Sequence, residues 1–336
     1  MADLAPPRRR GQMPAMKAAL ARAYGPPSVL TVDEIPLPPL RSGQVHVRVT
    51  AAAVTVGDAR IRAARAPAGL SFGLRLAFGL FRPRRPVLGM FFCGVDPSGA
   101  RVLGNTGMAI GAHAEVVAVA PDRLLPAPPG LGDSEAVALL FGGLTAADFL
   151  IGKAAVQSGE RVLVNGASGE VGCAAVQIAR HLGAEVTAVC RRENHDFVRG
   201  LGAQAVWDYR DGPPAGQWDV VMDVAGTLPW ALSRSLLAPA GRLLPVTASL
   251  GAMLGAALRP RRGTLRVLPA TTADGPEAMR HLLDLYAQGA LRSVLGATFP
   301  LDQIARAHAL ADSGHKRGAV VVLMDQAATE TAIAAK

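Results

Sequence analysis

The sequence predicts an α/β protein in two parts, one of them a doubly wound parallel sheet, and three observations predict it. A glycine triplet joins a β-branched strand to an apolar-faced helix at residues 161–180. Strands and helices then alternate with short loops to residue 246, the pattern of a parallel sheet covered on both faces. Both chain ends read instead as short strands between turns, and 336 residues exceed one comfortable core.

The elements follow in order. Residues 1–15 read as a disordered extension, with Met13 and Met16 as alternative starts. Strands are predicted at 16–22, 29–35 and 44–53, with Pro36, Pro38 and Pro39 in the last connection. Val45, Val47 and Val49 alternate onto one face, so the third strand is half buried. Residues 60–85 are basic, apolar and broken by glycine, a helix and loop; short strands follow at 101–103 and 114–120. After Pro126-Ala127-Pro128-Pro129, Asp133 or Ser134 caps a helix to Leu140, and 145–153 continues it beyond Gly142-Gly143. The alternating middle places strands at 161–165, 185–190, 220–224 and 241–246, with helices at 171–182, 195–201 and 228–237. Residues 264–269 read as an edge strand. The tail returns to helix 276–288, strand 295–299, helix 301–312 and strand 318–324.

Composition narrows the function. Half the chain is hydrophobic, 18% is charged and only 4% is aromatic, which suits a packed enzyme core and not a base-stacking surface. The net charge of +9 is spread over short clusters at 8–10, 82–85, 191–192 and 259–262, none of them a polybasic tract. No nucleic-acid partner is expected. The stretch 243–258 contains Pro245 and falls short of a membrane span. Cys93, Cys173 and Cys190 are an odd number without CxxC spacing, and residues 1–12 lack an apolar signal core; a reducing cytoplasm is the expected location.

The glycine triplet is Gly166-Ala167-Ser168-Gly169-Glu170-Val171-Gly172. Gly166 permits the tight turn off the strand, Gly169 lets backbone approach a pyrophosphate, and Gly172 lets the helix pack closely. Backbone N–H groups from 166 to 172, at the positive end of the helix dipole, then hold a diphosphate. That combination is the signature of a Rossmann dinucleotide site. The next strand ends in Arg191-Arg192, where an NAD site would carry an acidic residue; guanidinium forks pair with a 2′-phosphate, so NADPH is the expected cofactor. Glu193 would oppose this preference if it faced the ribose.

From residue 16 to 324 the chain resembles the medium-chain dehydrogenase/reductase superfamily, in its zinc-free quinone oxidoreductase (zeta-crystallin-like) branch. The resemblance rests on Ala23-Tyr24-Gly25-Pro26-Pro27, on Ala51-Ala-Ala-Val-Thr55-Val-Gly57-Asp58, on Gly111-Ala-His-Ala-Glu115 and on Gly143-Leu-Thr145-Ala. It continues, in family order, through the triplet, Leu201-Gly-Ala203, Asp208-Tyr209, Asp223-Val224-Ala-Gly226 and Gly314-His-Lys-Arg317-Gly-Ala-Val. It implies a GroES-like β domain from 16–133 and 272–325 around a Rossmann domain from 134–271, with a tail at 326–336 and the active site between the two domains. It also implies that Thr145 lies near the nicotinamide and that Tyr209, Val224 and Gly226 line the cofactor site. The sequence departs from the family at Thr55 and Val224, where asparagine is usual, and in a short stretch at 88–104 that looks trimmed.

No closely spaced Cys/His pair occurs and His46 has no ligand partner in sequence, so no metal site is expected. Hydride transfer without a metal suits an acceptor that is already electrophilic, a quinone or an α,β-unsaturated carbonyl. Tyr24 and Thr55 are the candidate proton donors, Asp58 more a loop-ordering residue, and water an equal alternative. Phe72, Phe78 and Phe81 among arginines pack on the β domain or flank the pocket mouth. Two other functions fit the same residues: a dedicated enoyl reductase of a biosynthetic pathway, and an NADPH-binding protein without turnover. A homodimer is expected through the edge strand at 264–269.

Overall fold

The computed structural model describes residues 15–65, 69–247, 266–267 and 273–324. The extension, the tail, the arginine clusters at 8–10 and 259–262, and most of the stretch 243–258 lie outside the described residues.

In chain order the first part holds β1 (Ala15–Ala21), β2 (Leu30–Pro36), β3 (Val45–Ala53), α1 (Val56–Ala63), α2 (Ser71–Phe78), β4 (Phe91–Val95), β5 (Arg101–Asn105), β6 (Val116–Val119) and β7 (Leu124–Pro126). The middle holds α3 (Asp133–Ala138), α4 (Leu140–Ala147), β8 (Arg161–Asn165), α5 (Glu170–His181), β9 (Glu185–Cys190), α6 (His195–Arg199), β10 (Ala205–Asp208), β11 (Trp218–Asp223), α7 (Trp230–Ser235), β12 (Leu237–Pro245) and β13 (Arg266–Val267). The last part holds α8 (Pro276–Ala287), β14 (Leu295–Pro300), α9 (Ile304–Asp312) and β15 (Ala319–Leu323).

Three sheets result. β1 and β2 form an antiparallel pair. β14, β15, β3, β4, β5 and β7 line up in that order, with β6 pairing β3. The third sheet is parallel, in the order β10-β9-β8-β11-β12-β13. Chain order runs outward in both directions from β8, so the crevice between the C-terminal ends of β8 and β11 is the topological switch point, where such sheets bind ligands. One core joins the two large sheets: Ala51, Phe91 and Val321 share it with Val164, Ile178 and Leu282.

The structure adds three strands that the sequence reading lacks, β4, β7 and β10, and redraws one cap. Phe91–Val95 is nearly all buried, so it shows no alternation to read. It pairs with β5 through a turn in which Asp96 Oδ1 accepts from the backbone N–H of Ser98 and Ala100. Residues 91–105 therefore form a hairpin. β10 is a four-residue edge strand. The helix expected to start on Asp133 or Ser134 is capped by Gly132, whose N–H donates to Glu135 Oε2 at 3.1 Å. Asp133 is thereby free for an ion pair with Arg101 at 2.6 Å. From Asp133 to Lys153 the helical path is continuous, ending in a stretch of π-helix; its length and apolarity match a membrane span, yet it lies mostly buried inside the protein.

α1 is pinned to α9 by a buried cation. Arg62, 1% exposed, donates from Nε to the Gly25 carbonyl at 3.1 Å and pairs with Asp312 at 2.5 Å. Its remaining nitrogen lies 3.1 Å from His308 Nδ1, which must accept because a guanidinium only donates. Burial, then the neighbouring His113 and Arg62, hold the His308 pKa well below its ordinary 6.5. Above that value both folded and unfolded chains keep the ring neutral. Below it the unfolded chain takes up a proton that the folded site refuses, so stability falls with pH until the folded ring titrates too. Thermal melts should show Tm dropping as pH is lowered from 6.5, and His308→Gln should flatten that slope. An unchanged slope would assign the loss to other groups.

Candidate active site

The glycine turn sits at the switch point. Gly166 has φ +85°, the left-handed region that glycine adopts without strain. A Cβ on Gly172 would stand 2.1 Å from the Gly166 carbonyl oxygen, so this glycine lets the helix close on its own turn. A Cβ on Gly169 would meet nothing nearer than 3.5 Å, which leaves its outer side open to a ligand. Ala167 is fully buried beneath the turn and Val171 nearly so. The ends of β8 and β11 are tied by Asn165 Nδ2, 2.7 Å from Asp223 Oδ1 and 2.9 Å from Thr227 Oγ1. Asp223 also accepts from the N–H of Gly226 at 2.8 Å, and the Val224 N–H donates to the Asn165 carbonyl at 3.0 Å. Gly226 has φ +70°, and a Cβ there would press on Thr247 at 3.0 Å.

A loop from the other sheet closes the turn. The Gly318 N–H donates to the Ser168 carbonyl at 3.1 Å, and Gly169 and Gly318 form a parallel bridge. Asn194 donates to Ser168 Oγ at 3.1 Å and accepts from Arg317 Nε at 2.5 Å. Lys316 reaches Glu170 Oε2 at 2.7 Å, while Glu170 Oε1 is buried without a partner among the described residues. Burial is the largest influence on Glu170 and raises its pKa, against the opposing pull of Lys316. None of Asn194, His315, Lys316 and Arg317 was a predicted site residue. The last three lie in the matched terminal segment, while Asn194 carried no sequence signal.

Beyond β9 the two arginines part. Arg191 Nε donates to the Tyr209 hydroxyl at 2.8 Å, and its outer nitrogen lies 2.7 Å from His315 Nε2. Arg192, expected beside it at a phosphate, turns away to Asp211 at 2.7 Å, because the acids following β10 neutralise it there. Glu193 pairs with Arg210 at 3.3 Å. Hydrogen bonds from Arg210 are the largest influence holding Asp208 well below the usual carboxylate range.

The expected proton donors are all engaged. Thr55 and Asp58, both fully buried, form a capping box at the start of α1. Thr55 Oγ1 donates to Asp58 Oδ2 at 2.7 Å and accepts from the Asp58 N–H at 3.2 Å; Asp58 Oδ1 accepts from the Gly89 N–H at 3.0 Å. The hydroxyl expected to face a substrate oxygen thus serves the helix terminus, and its signature, Thr-x-x-Asp, stands in the sequence. The Tyr24 hydroxyl donates to the Gly79 carbonyl at 2.6 Å, and burial raises its pKa. Thr145 is nearly buried in α4 and donates to the Phe141 carbonyl at 2.8 Å, which leaves only its lone pairs for a ligand.

Thiol chemistry is disfavoured by burial, which raises Cys93 and Cys173 to about 12 and Cys190 to about 11. Among the described residues no three His, Cys, Asp or Glu side chains gather as a metal site. His46 Nε2 lies 2.8 Å from the Pro38 carbonyl oxygen.

Lys316→Met should leave the Glu170 carboxylate buried and unpaired and cost about 3–5 kcal/mol in denaturant unfolding. Adding Glu170→Gln should restore most of that loss. Equal stability of wild type and the single variant would mean that the pair is solvated.

A family model described as a zinc-binding dehydrogenase matches residues 201–322. The chain is 30% identical over 219 residues to a chloroplast envelope quinone oxidoreductase homolog of Arabidopsis thaliana, covering 61% of this chain and 67% of that one. It is 30% identical over 244 residues to a quinone oxidoreductase of Pseudomonas aeruginosa, covering 67% and 75%. The solved structure of the Coxiella burnetii quinone oxidoreductase superposes with a TM-score of 0.81 at 26% identity, over 93% of this chain and all of the other. The expected pairing of a GroES-like with a Rossmann domain is the fold of these structures. The chain belongs to the quinone oxidoreductase branch of the medium-chain dehydrogenase/reductase superfamily, and it is an oxidoreductase of the quinone reductase type.

Proposed function

We propose that the protein reduces quinones or α,β-unsaturated carbonyls with NADPH, without zinc, in the crevice between a β domain (16–133 and 272–325) and a cofactor domain (134–271). The reading rests on one grouping: Arg191, Tyr209 and His315 converge beyond β9, with Asn194 and Ser168 alongside. A guanidinium fork with a hydroxyl and an imidazole beside it suits a 2′-phosphate, and the turning of Glu193 to Arg210 removes the acid that would favour a bare ribose.

When bound, NADPH supplies a hydride to an electrophilic acceptor. The chain's own groups hold and orient. The first-turn N–H groups of α5, from Glu170 to Gly172, receive the diphosphate at the helix N-terminus, since those of Gly166 and Ala167 donate to the Val189 carbonyl and that of Gly169 to the Gly166 carbonyl; Gly226 leaves room beside the end of β11. Thr145 and Val224 flank the crevice from α4 and from β11. Because Thr55, Asp58 and Tyr24 are held in hydrogen bonds with one another or with backbone, water delivers the proton. Independence from zinc rests on the sequence, in which no closely spaced Cys/His pair occurs.

Among the described residues β13 is the last strand of the parallel sheet, the edge on which a second copy would continue it, and a cytoplasmic homodimer is part of the proposal. Light scattering at micromolar concentration should give twice the chain mass; a monomer overturns that part.

Loss of the reduced-nicotinamide absorbance should follow mixing with NADPH and a panel of quinones and enones. Silence across the panel, with NADPH bound, would favour a binding protein without turnover. Arg191→Asp should weaken NADPH by about tenfold or more and leave NADH almost unchanged. Equal loss for both cofactors would remove the 2′-phosphate assignment.

A further inference from the structure

Helical geometry gives α1 two working faces. Asp58 and Arg62 stand four residues apart and are both held inside the β-rich part. Arg60 lies between them, about 200° around the axis from each. It therefore points the other way, across to the parallel sheet, where it donates to Thr247 Oγ1 at 3.2 Å. Thr247 follows β12 and abuts Gly226, so the guanidinium sits over the ligand-binding ends of the strands.

Among the described residues no carboxylate pairs with that cation. Arg62, Arg101 and Arg242 each meet a carboxylate, Asp312, Asp133 and Glu160 respectively. Arg60 meets only a hydroxyl among the described residues, and burial alone depresses its pKa while leaving it charged at neutral pH. A partly desolvated guanidinium without an anion is costly unless a ligand supplies one. The cofactor's diphosphate is not that anion. It belongs at the end of β8, and β11 separates β8 from β12, a distance of about 10 Å across two strand spacings.

We propose that Arg60 receives the acceptor's oxygen as that oxygen becomes an anion, so that the site selects acceptors whose reduced form is a phenolate or an enolate. This rests on the reductase reading above. The hydride and its electron pair come from NADPH, which leaves as NADP⁺; the acceptor carbonyl oxygen gains the negative charge, and water then protonates it. Arg60 donates to that oxygen throughout and is not itself consumed.

The test uses 4-nitrophenol, whose visible band reports ionisation, titrated into the full-length protein with and without NADP⁺. Wild type should bind the phenolate at least about tenfold more tightly than Arg60→Met. Arg60→Lys, which keeps the charge but not the fork, should fall between, and 4-nitroanisole, which cannot ionise, should bind all three alike. Thermal melts establish that each variant is folded; should Arg60→Met unfold, Arg60→Gln replaces it. With a neutral quinone, kcat should fall in the same order while the Kd for NADPH from fluorescence quenching stays unchanged. Phenolate binding that ignores residue 60, or an equal loss of NADPH affinity, overturns the proposal. Failure of wild type to bind NADPH would instead overturn the reductase reading.

Discussion

The contact between Gly318 and the turn after β8 holds the site together. It is a backbone contact between two different sheets, with a glycine on each side. Gly318 adopts φ +57°, and a Cβ on it would stand 2.2 Å from the Val294 carbonyl oxygen. On the facing side, a Cβ on Gly169 would meet nothing nearer than the Gly166 carbonyl oxygen at 3.5 Å, so the space beside the bridge stays open. Once Gly318 docks, the three residues before it are committed. Lys316 goes inward to Glu170, Arg317 reaches Asn194, and His315 arrives beside Arg191. A short loop entering β15 thus delivers three nitrogen-bearing side chains to the rim of the parallel sheet.

The charge at this junction is balanced by depth. Glu170 occupies the first turn of α5, where the helix dipole favours an anion, yet complete burial works against ionisation. Lys316 compensates it directly, so the carboxylate's repulsion of a nearby diphosphate is reduced. Farther out, the solvated arginines sort themselves by available acids. Asp208, Asp211 and Glu193 take Arg192 and Arg210, which leaves Arg191 with neutral partners. A cation with only a phenol and an imidazole beside it keeps its charge available to an incoming anion.

Much of this was legible in the sequence because periodicity and glycine spacing are local. β8, α5 and β9 lie where the pattern put them, and the sheet order follows from alternation and short loops. β4 escaped because a strand buried on both faces shows no alternation. The site was less legible than the fold. Thr55 reads as a candidate proton donor and Asp58 as a loop-ordering residue, although their spacing is also that of a helix cap, and the cap forms. Arg191 and Arg192 are adjacent and identical in type, and only the acids after β10, remote in sequence, decide which one turns toward the cofactor rim. Asn194 links Ser168 to Arg317 across more than a hundred residues, and no local pattern announces such a bridge.

The cap has a consequence for chemistry. It closes the Thr55 hydroxyl and both Asp58 oxygens into hydrogen bonds within the protein, which engages them before any acceptor arrives. What it provides is rigidity: the start of α1 is anchored to Gly89, and its end to α9 through Arg62. A helix held at both ends has one face left with which to address the crevice, and Arg60 stands on it. An immobile cation is worth more than a mobile one for stabilising charge that develops during a reaction, because it needs no reorganisation as the charge appears. On the reading proposed above, the cap and Arg60 act by position, and the chemistry falls to the cofactor, the acceptor and water.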